Sequence, residues 1–294
     1  MAVHYDNDTI EGQAREASEM HSVLMIIGGT AHPFESCAAI LKTALEGGGQ
    51  FTLEITQDRA ALADPSSYDA VILYTVGGEL TRDQEQGLVG YVRGGGGLVA
   101  IHCANAELEK YGDYTEMVGT VFITHGPVSD FTVETLSDAA SYLPRLTSSF
   151  DITDEFYMCE RRTEAELRVF QEGGWQFERH PMGYVRDYGQ GRVLYTALGH
   201  DERAFRHPDF QDLIFKGLRY VMGQEQEETI RVGLLGYGPA FGMGTHHSER
   251  IADTQGVELA AVCDRDPARL EAAKEEQGEH LSTFTDASEM AASP

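Results

Sequence analysis

The apolar positions of this chain fall into short continuous runs separated by amphipathic stretches. Val23 to Ile27 is one such run, bounded by Gly28 and Gly29. Residues 34–45 then place Ala38, Ala39, Leu41, Ala44 and Leu45 at helical spacing. Phe51, Leu53 and Ile55 alternate as a strand does, and Ala70 to Tyr74 is again continuous. Thr81 with Gln84 three residues later is a capping-box pattern, which predicts a helix carrying Leu88, Val89 and Val92. The glycines Gly94 to Gly97 end that helix, and Leu98 to Ile101 is another apolar strand. Strands with no polar face are covered on both sides, so this alternation predicts an α/β domain with a parallel sheet between two layers of helices.

The second half is less regular. Phe131 and Val133 alternate, Leu167 to Phe170 is short, and Arg192 to Thr196 is apolar after a polar start. A closing helix after Pro208 carries Phe210, Leu213, Ile214, Leu218 and Val221 on one face and stops at Gly223. These marks set the expected boundaries: a flexible leader over 1–20, a main domain over 21–224 and a short polar linker over 225–229. From residue 230 a new unit begins. A strand (Ile230 to Leu235) runs into a glycine-rich turn and a helix pattern, and a second strand (Glu258 to Cys263) ends on Asp264. That order is the opening of a dinucleotide-binding fold. Roughly 65 residues are too few for a complete dehydrogenase, so 230–294 reads as a truncated NAD(P)-binding Rossmann domain.

Composition narrows the partners. Over 294 residues the formal charge is -26, from 48 acidic and 22 basic residues. Such a field repels phosphate backbones and anionic lipid, which argues against nucleic acid and membrane as partners and leaves a small molecule. Four separated cysteines (Cys37, Cys103, Cys159, Cys263) with no C-x-x-C pair read as reduced thiols of a cytoplasmic protein. No apolar run approaches the roughly 20 residues that span a bilayer, and residues 1–20 lack the build of a signal peptide. Assembly into a homo-oligomer is left open.

In open parallel sheets ligands bind beyond the carboxyl ends of the strands. That rule gathers His32 after the first strand, Gly78 after the third, His102, Cys103 and Asn105 at the fourth, and His200 and Asp201 after the Arg192–Thr196 strand. His125, following Val121-Phe122-Ile123, is placed to join them, and Asp154 and Glu155 add carboxylates beside Tyr157. Taken singly, a histidine after a strand is more often a structural hydrogen-bonding residue, and glycines there are turn residues. Convergence on one rim is what makes a site. His4, His21, His180, His207 and His280 have no such placement and read as surface or capping residues. Trp175 suits either a lid or a sugar platform.

Four segments make the pattern more specific: Gly95-Gly-Gly-Leu-Val-Ala-Ile-His102, Gly119-x-Val-Phe-x-x-His125, Asp154-Glu-x-Tyr157, and Tyr188-Gly-x-Gly-Arg192-Val-x-Tyr-x-x-Leu-Gly-His200-Asp201. In this order, over about residues 21–223, they resemble the ThuA family, named for trehalose utilisation. The resemblance implies a flavodoxin-like three-layer sandwich similar to the class I glutamine amidotransferases. It does not imply glutaminase chemistry, because His102 stands where a nucleophilic cysteine would sit on the turn after the central strand, and packing is the expected role of Cys103. The tail, with Gly-Tyr-Gly-Pro-Ala-Phe-Gly-Met-Gly and Val-Cys-Asp264-Arg-Asp-Pro, resembles the start of the Gfo/Idh/MocA sugar oxidoreductases.

Together the two resemblances imply a keto-sugar or keto-glycoside as substrate. A ketone at C3 acidifies the C2 proton, and a base of near-neutral pKa can remove it. The resulting enolate isomerises, or it eliminates the C1 substituent and leads to net glycoside hydrolysis. The expected catalytic group is His102, His125 and His200 assisted by Glu155, with His32 at the entrance and Gly78, Asn105, Tyr157 and Asp201 binding substrate. Three histidines and a carboxylate also suit a divalent ion, zinc or manganese, on His102, His125 and His200, although no H-x-x-x-H pair anchors one. The alternatives are a non-catalytic sugar-binding module serving the dehydrogenase and, ranked below it, an amidotransferase-related enzyme, which would release ammonia from glutamine. In the tail, Gly236, Gly238, Gly242 and Gly244 are the expected pyrophosphate loop; Asp264 favours NAD, and Arg265 leaves NADP open.

Overall fold

A computed structural model describes residues 20–76, 80–106, 112–224, 230–238, 243–254, 257–278 and 281–293. Tertiary contacts divide the chain into two compact units, Met1–Glu225 and Gln226–Pro294. The leader over 1–19 and the linker over 225–229 lie outside the described residues.

The first unit opens with β1 (His21–Gly29), α1 (Phe34–Gly47), β2 (Phe51–Thr56), β3 (Ala70–Val76), α2 (Arg82–Arg93) and β4 (Gly97–Ile101). It continues through α3 (Gly112–Val118), β5 (Thr120–His125), β6 (Ser129–Thr135), β7 (Ser149–Asp154), β8 (Tyr157–Arg161), β9 (Arg168–Trp175), β10 (Glu178–Tyr188) and β11 (Gly191–Thr196). Two helices, α4 (Glu202–Arg206) and α5 (Pro208–Val221), close it. Nine strands form one sheet in the order β2-β1-β3-β4-β11-β10-β9-β6-β7.

The first five of these strands are parallel neighbours, with β1 between β2 and β3 and β4 between β3 and β11. This is the flavodoxin-like order, and Val23–Ile26, Val71–Tyr74 and Leu98–Ile101 are buried as their unbroken apolar runs require. The remaining strands depart from the expected purely parallel sheet. β10 is antiparallel to both β11 and β9, β9 is antiparallel to β6, and β6 to β7. Of these, β7 buries only every second residue, through Phe150, Ile152 and Asp154. β5 and β8 stand apart as a two-stranded antiparallel sheet that pairs His125 with Tyr157. Among the described residues no helix is long and apolar enough to cross a membrane.

The helix signals are realised chemically. Thr81 accepts the Gln84 amide N–H, and the Gln84 side chain accepts the Thr81 N–H at 2.9 Å. Thr81→Ala should cost about 1 kcal/mol of stability, read as a lower urea midpoint, and Thr81→Ser should restore most of it. His207 caps α5 by accepting from the Asp209 N–H, with Pro208 in the first turn.

The second unit holds β12 (Ile230–Leu235), α6 (Met243–Asp253), β13 (Val257–Cys263), α7 (Pro267–Gln277), β14 (Ser282–Phe284) and α8 (Ala287–Ala291). Its three strands are parallel in the order β12-β13-β14, over a small core of Tyr237, Leu259, Val262, Leu270, Ala273 and Leu281.

Candidate functional site

The carboxyl ends of β1, β4 and β11 deliver His32, His102 and His200 to one place. The His32 ring lies 5.2 Å from that of His102 and 5.0 Å from that of His200, centroid to centroid. Glu155, on the turn between β7 and β8, faces all of them but one. Its Oε2 is 3.1 Å from His200 Nδ1 and 3.6 Å from His102 Nε2, while its Oε1 is 3.3 Å from His125 Nδ1.

Each imidazole is oriented from behind. His102 sits at the first position after β4 with φ +48, in the left-handed region that non-glycine residues rarely adopt. Its Nδ1 is 2.6 Å from the Ala197 carbonyl, which only accepts, so the proton is on Nδ1 and Nε2 is a bare lone pair. Tyr157 stacks on the same ring at 3.7 Å between centroids, and the Tyr195 hydroxyl donates to the His102 carbonyl. His32 is fixed in the same sense, its Nδ1 donating to the Thr30 carbonyl at 3.1 Å. His200 follows Gly199, whose φ of +123 and 2.8 Å approach of an added Cβ to Ile101 both demand glycine.

Asp154 ties the two halves of the site together. Its carboxylate accepts the backbone N–H groups of Glu155 (2.9 Å), Gly199 (2.7 Å) and His200 (2.9 Å). Burial nevertheless pushes its pKa up to about 7. Burial also depresses His102, to about 4, and lowers His32, so both are neutral imidazoles near neutral pH. At Glu155 burial opposes the charge, but the surrounding histidines outweigh it and hold the carboxyl below its ordinary range.

The expected residues are thus largely brought together, with two exchanged positions. His32 was expected at the entrance and belongs to the inner group. Atoms of His32, His102, Glu155 and His200 all lie within 4.8 Å of one another. His125 was expected in the centre and lies at the rim, its side chain 43% exposed and its Nδ1 donating to the Gly126 carbonyl. The cause is the β5–β8 pairing, which holds His125 opposite Tyr157 and away from the sheet edge.

Three expected substrate contacts have structural work instead. Asp201 caps α4 and pairs with Arg203. Asn105 is fully buried, donating to Thr120 and to the Cys159 sulfur. Tyr157 is buried beneath His102. Trp175 stacks on Phe156 and packs its ring edge on Gly126, beside His125. Cys103 is buried, and that burial pushes its thiol well up, as packing and not nucleophilic service requires. Gly78 lies outside the described residues. The organising role of Asp154 was missed, since its partners are backbone groups 45 and 46 positions away that leave no mark on side-chain patterning.

In the second unit, Gly236 takes φ +89 directly after β12, and Gly244 packs on Tyr237. Asp264, directly after β13, accepts the N–H groups of Asp266 and Tyr237, which hold its carboxyl below the usual range. Gly238 lies near Arg269, Arg265 is exposed, and Gly242 is outside the described residues.

Solved structures share the fold of the first unit. A putative ThuA-like protein from Parabacteroides merdae superposes with a TM-score of 0.64 at 20% identity, over 72% of this chain and 94% of that one. Another from Bacteroides uniformis gives 0.60 at 19%, over 71% and 94%. A cold-adapted β-galactosidase from Rahnella sp. R3 carries a similar fold in 33% of its length, with a TM-score of 0.52 at 16% identity over 72% of this chain. No curated protein matches the sequence. The sequence pattern of ThuA, described as trehalose utilisation, matches residues 22–221, and the chain belongs to that family.

Proposed function

We propose that the first unit is an enzyme of sugar metabolism that removes the proton next to the ketone of a keto-sugar or 3-keto-glycoside. The observation that carries this reading is the His125–Glu155 pair at the mouth of a histidine-lined centre. With Nδ1 committed to the Gly126 carbonyl and the Glu155 carboxylate, Nε2 of His125 is the basic nitrogen. The carboxylate stabilises the imidazolium that forms, in the manner of other carboxylate–histidine couples. The C2–H bond breaks toward His125, and its electron pair forms the C2–C3 double bond of the enolate. Collapse of the enolate expels the C1 oxygen, which takes up a proton from the imidazolium; water then adds to the resulting double bond. Return of the proton elsewhere would give isomerisation. The half-exposed rim supports entry of a small sugar, and the charge of -26 supports a substrate without phosphate.

The full chain, incubated with 3-keto-trehalose in deuterated water, should exchange the C2 proton and release glucose, both followed by NMR. Binding without exchange or cleavage would overturn the enzyme in favour of a sugar-presenting module.

For residues 230–294, the parallel β12-β13-β14 order, the glycine turn and Asp264 support the start of a Gfo/Idh/MocA-type domain binding NAD(P). A dehydrogenase of that kind would form the ketone that the first unit consumes. The four free cysteines support a cytoplasmic location.

A further inference from the structure

The inner group of the site has a chemical imbalance. His102 Nε2, His32 Nε2 and His200 Nδ1 are buried and make no hydrogen bond within the described protein. The 3.6 Å from His102 Nε2 to Glu155 is too long for one, and the 3.1 Å approach of His200 Nδ1 lacks a hydrogen-bond direction. His102 is 0% exposed, and the protons of His102 and His32 are already spent on Ala197 and Thr30. At His102 and His32 the group therefore turns bare imidazole lone pairs toward the Glu155 carboxylate, and His200 Nδ1 beside them is buried without a hydrogen bond. A single water offers only two protons, too few for the two lone pairs and the carboxylate together. The same electron-rich wall would repel a developing enolate.

We propose that His32 Nε2, His102 Nε2, His200 Nδ1 and Glu155 Oε2 bind one divalent transition-metal ion of the zinc or manganese class. Resting on the reading of this centre as the catalytic one, it supplies the cation that reading needs at the ketone oxygen. Ligand atoms about 2.1 Å from a common ion stand about 3–4 Å apart. A limit of 4.8 Å is within a small side-chain rotation of that spacing. Neutral imidazole with one carboxylate is a donor set that takes zinc or manganese and leaves coordination positions for substrate oxygen. The Nδ1-to-carbonyl bonds behind His32 and His102 are the outer contacts that fix ligating histidines elsewhere. His125 is no ligand in this arrangement.

The test is metal binding by the full chain, without sugar. Chelator-stripped protein is titrated with Zn2+ and with Mn2+, and bound metal is counted by mass spectrometry. Co2+ substitution adds a visible absorption band that reports nitrogen coordination. One equivalent should bind in the wild type and in His125→Gln, and affinity should fall at least about 100-fold in His32→Gln, His200→Gln and Glu155→Gln. Circular dichroism of each variant separates lost ligands from lost fold. Less than half an equivalent, or binding indifferent to all three substitutions, overturns the proposal. Metal binding without C2 exchange would sink the keto-sugar reading alone, and exchange by metal-free protein would sink the metal alone.

Discussion

Replacing Glu155 by glutamine is expected to slow C2 proton exchange on a keto-glycoside by about 10²–10⁴-fold, the range for loss of a proton-transfer partner. The size follows from the two directions in which the carboxylate works. Oε1 faces His125 at 3.3 Å, beside the cation that proton transfer would create there, and Oε2 faces His200 at 3.1 Å and His102 at 3.6 Å. Glutamine keeps the shape and removes the charge from both. Stability should also fall a little at neutral pH, because the fold holds this carboxyl below its ordinary range and so favours the charged form that glutamine lacks. The urea midpoint should drop slightly while the rate collapses. A variant that exchanges the C2 proton at the wild-type rate would remove Glu155 from the chemistry.

The second large effect is on the scaffold. Asp154→Ala leaves the N–H groups of Glu155, Gly199 and His200 unpaired in a position that is 1% exposed. At about 1–3 kcal/mol for each orphaned buried donor, with partial relaxation, the loss should reach about 3–5 kcal/mol in urea unfolding. Asp154→Asn should recover only part of it, since its NH2 group turns a donor toward a donor. Because those N–H groups sit on Glu155 and on the Gly199–His200 turn, metal affinity should fall even where the variant remains folded. Loss below about 1 kcal/mol would mean that water or a shifted backbone replaces the carboxylate.

Much of this arrangement is legible in the sequence for a physical reason. β1, β3 and β4 are covered on both faces, so they read as unbroken apolar runs, and parallel strands bring the residues after them to one edge. His32, His102 and His200 follow from that alone. Depth within the site does not. His32 is drawn inward by its bond to Thr30 and His125 is held outward by the β5–β8 ladder, and neither contact has a periodicity. Of the antiparallel strands, β6 and β9 leave short traces at Phe131 and Val133 and at Leu167 to Phe170, whereas β10 buries five residues in a row and shifts register between Pro181 and Tyr184, so it carries no clean period of two.

The pairing of β4 with β11 joins Ile101 to Thr196 across nearly half of the first unit's length. No half of that unit owns the centre: residues up to 125 bring His32, His102 and His125, and the rest bring Glu155 and His200. Cleavage between them would part the carboxylate from two of its histidines and remove β11 from beside β4. Recovery of C2 exchange during refolding would therefore report that this long-range pairing has formed.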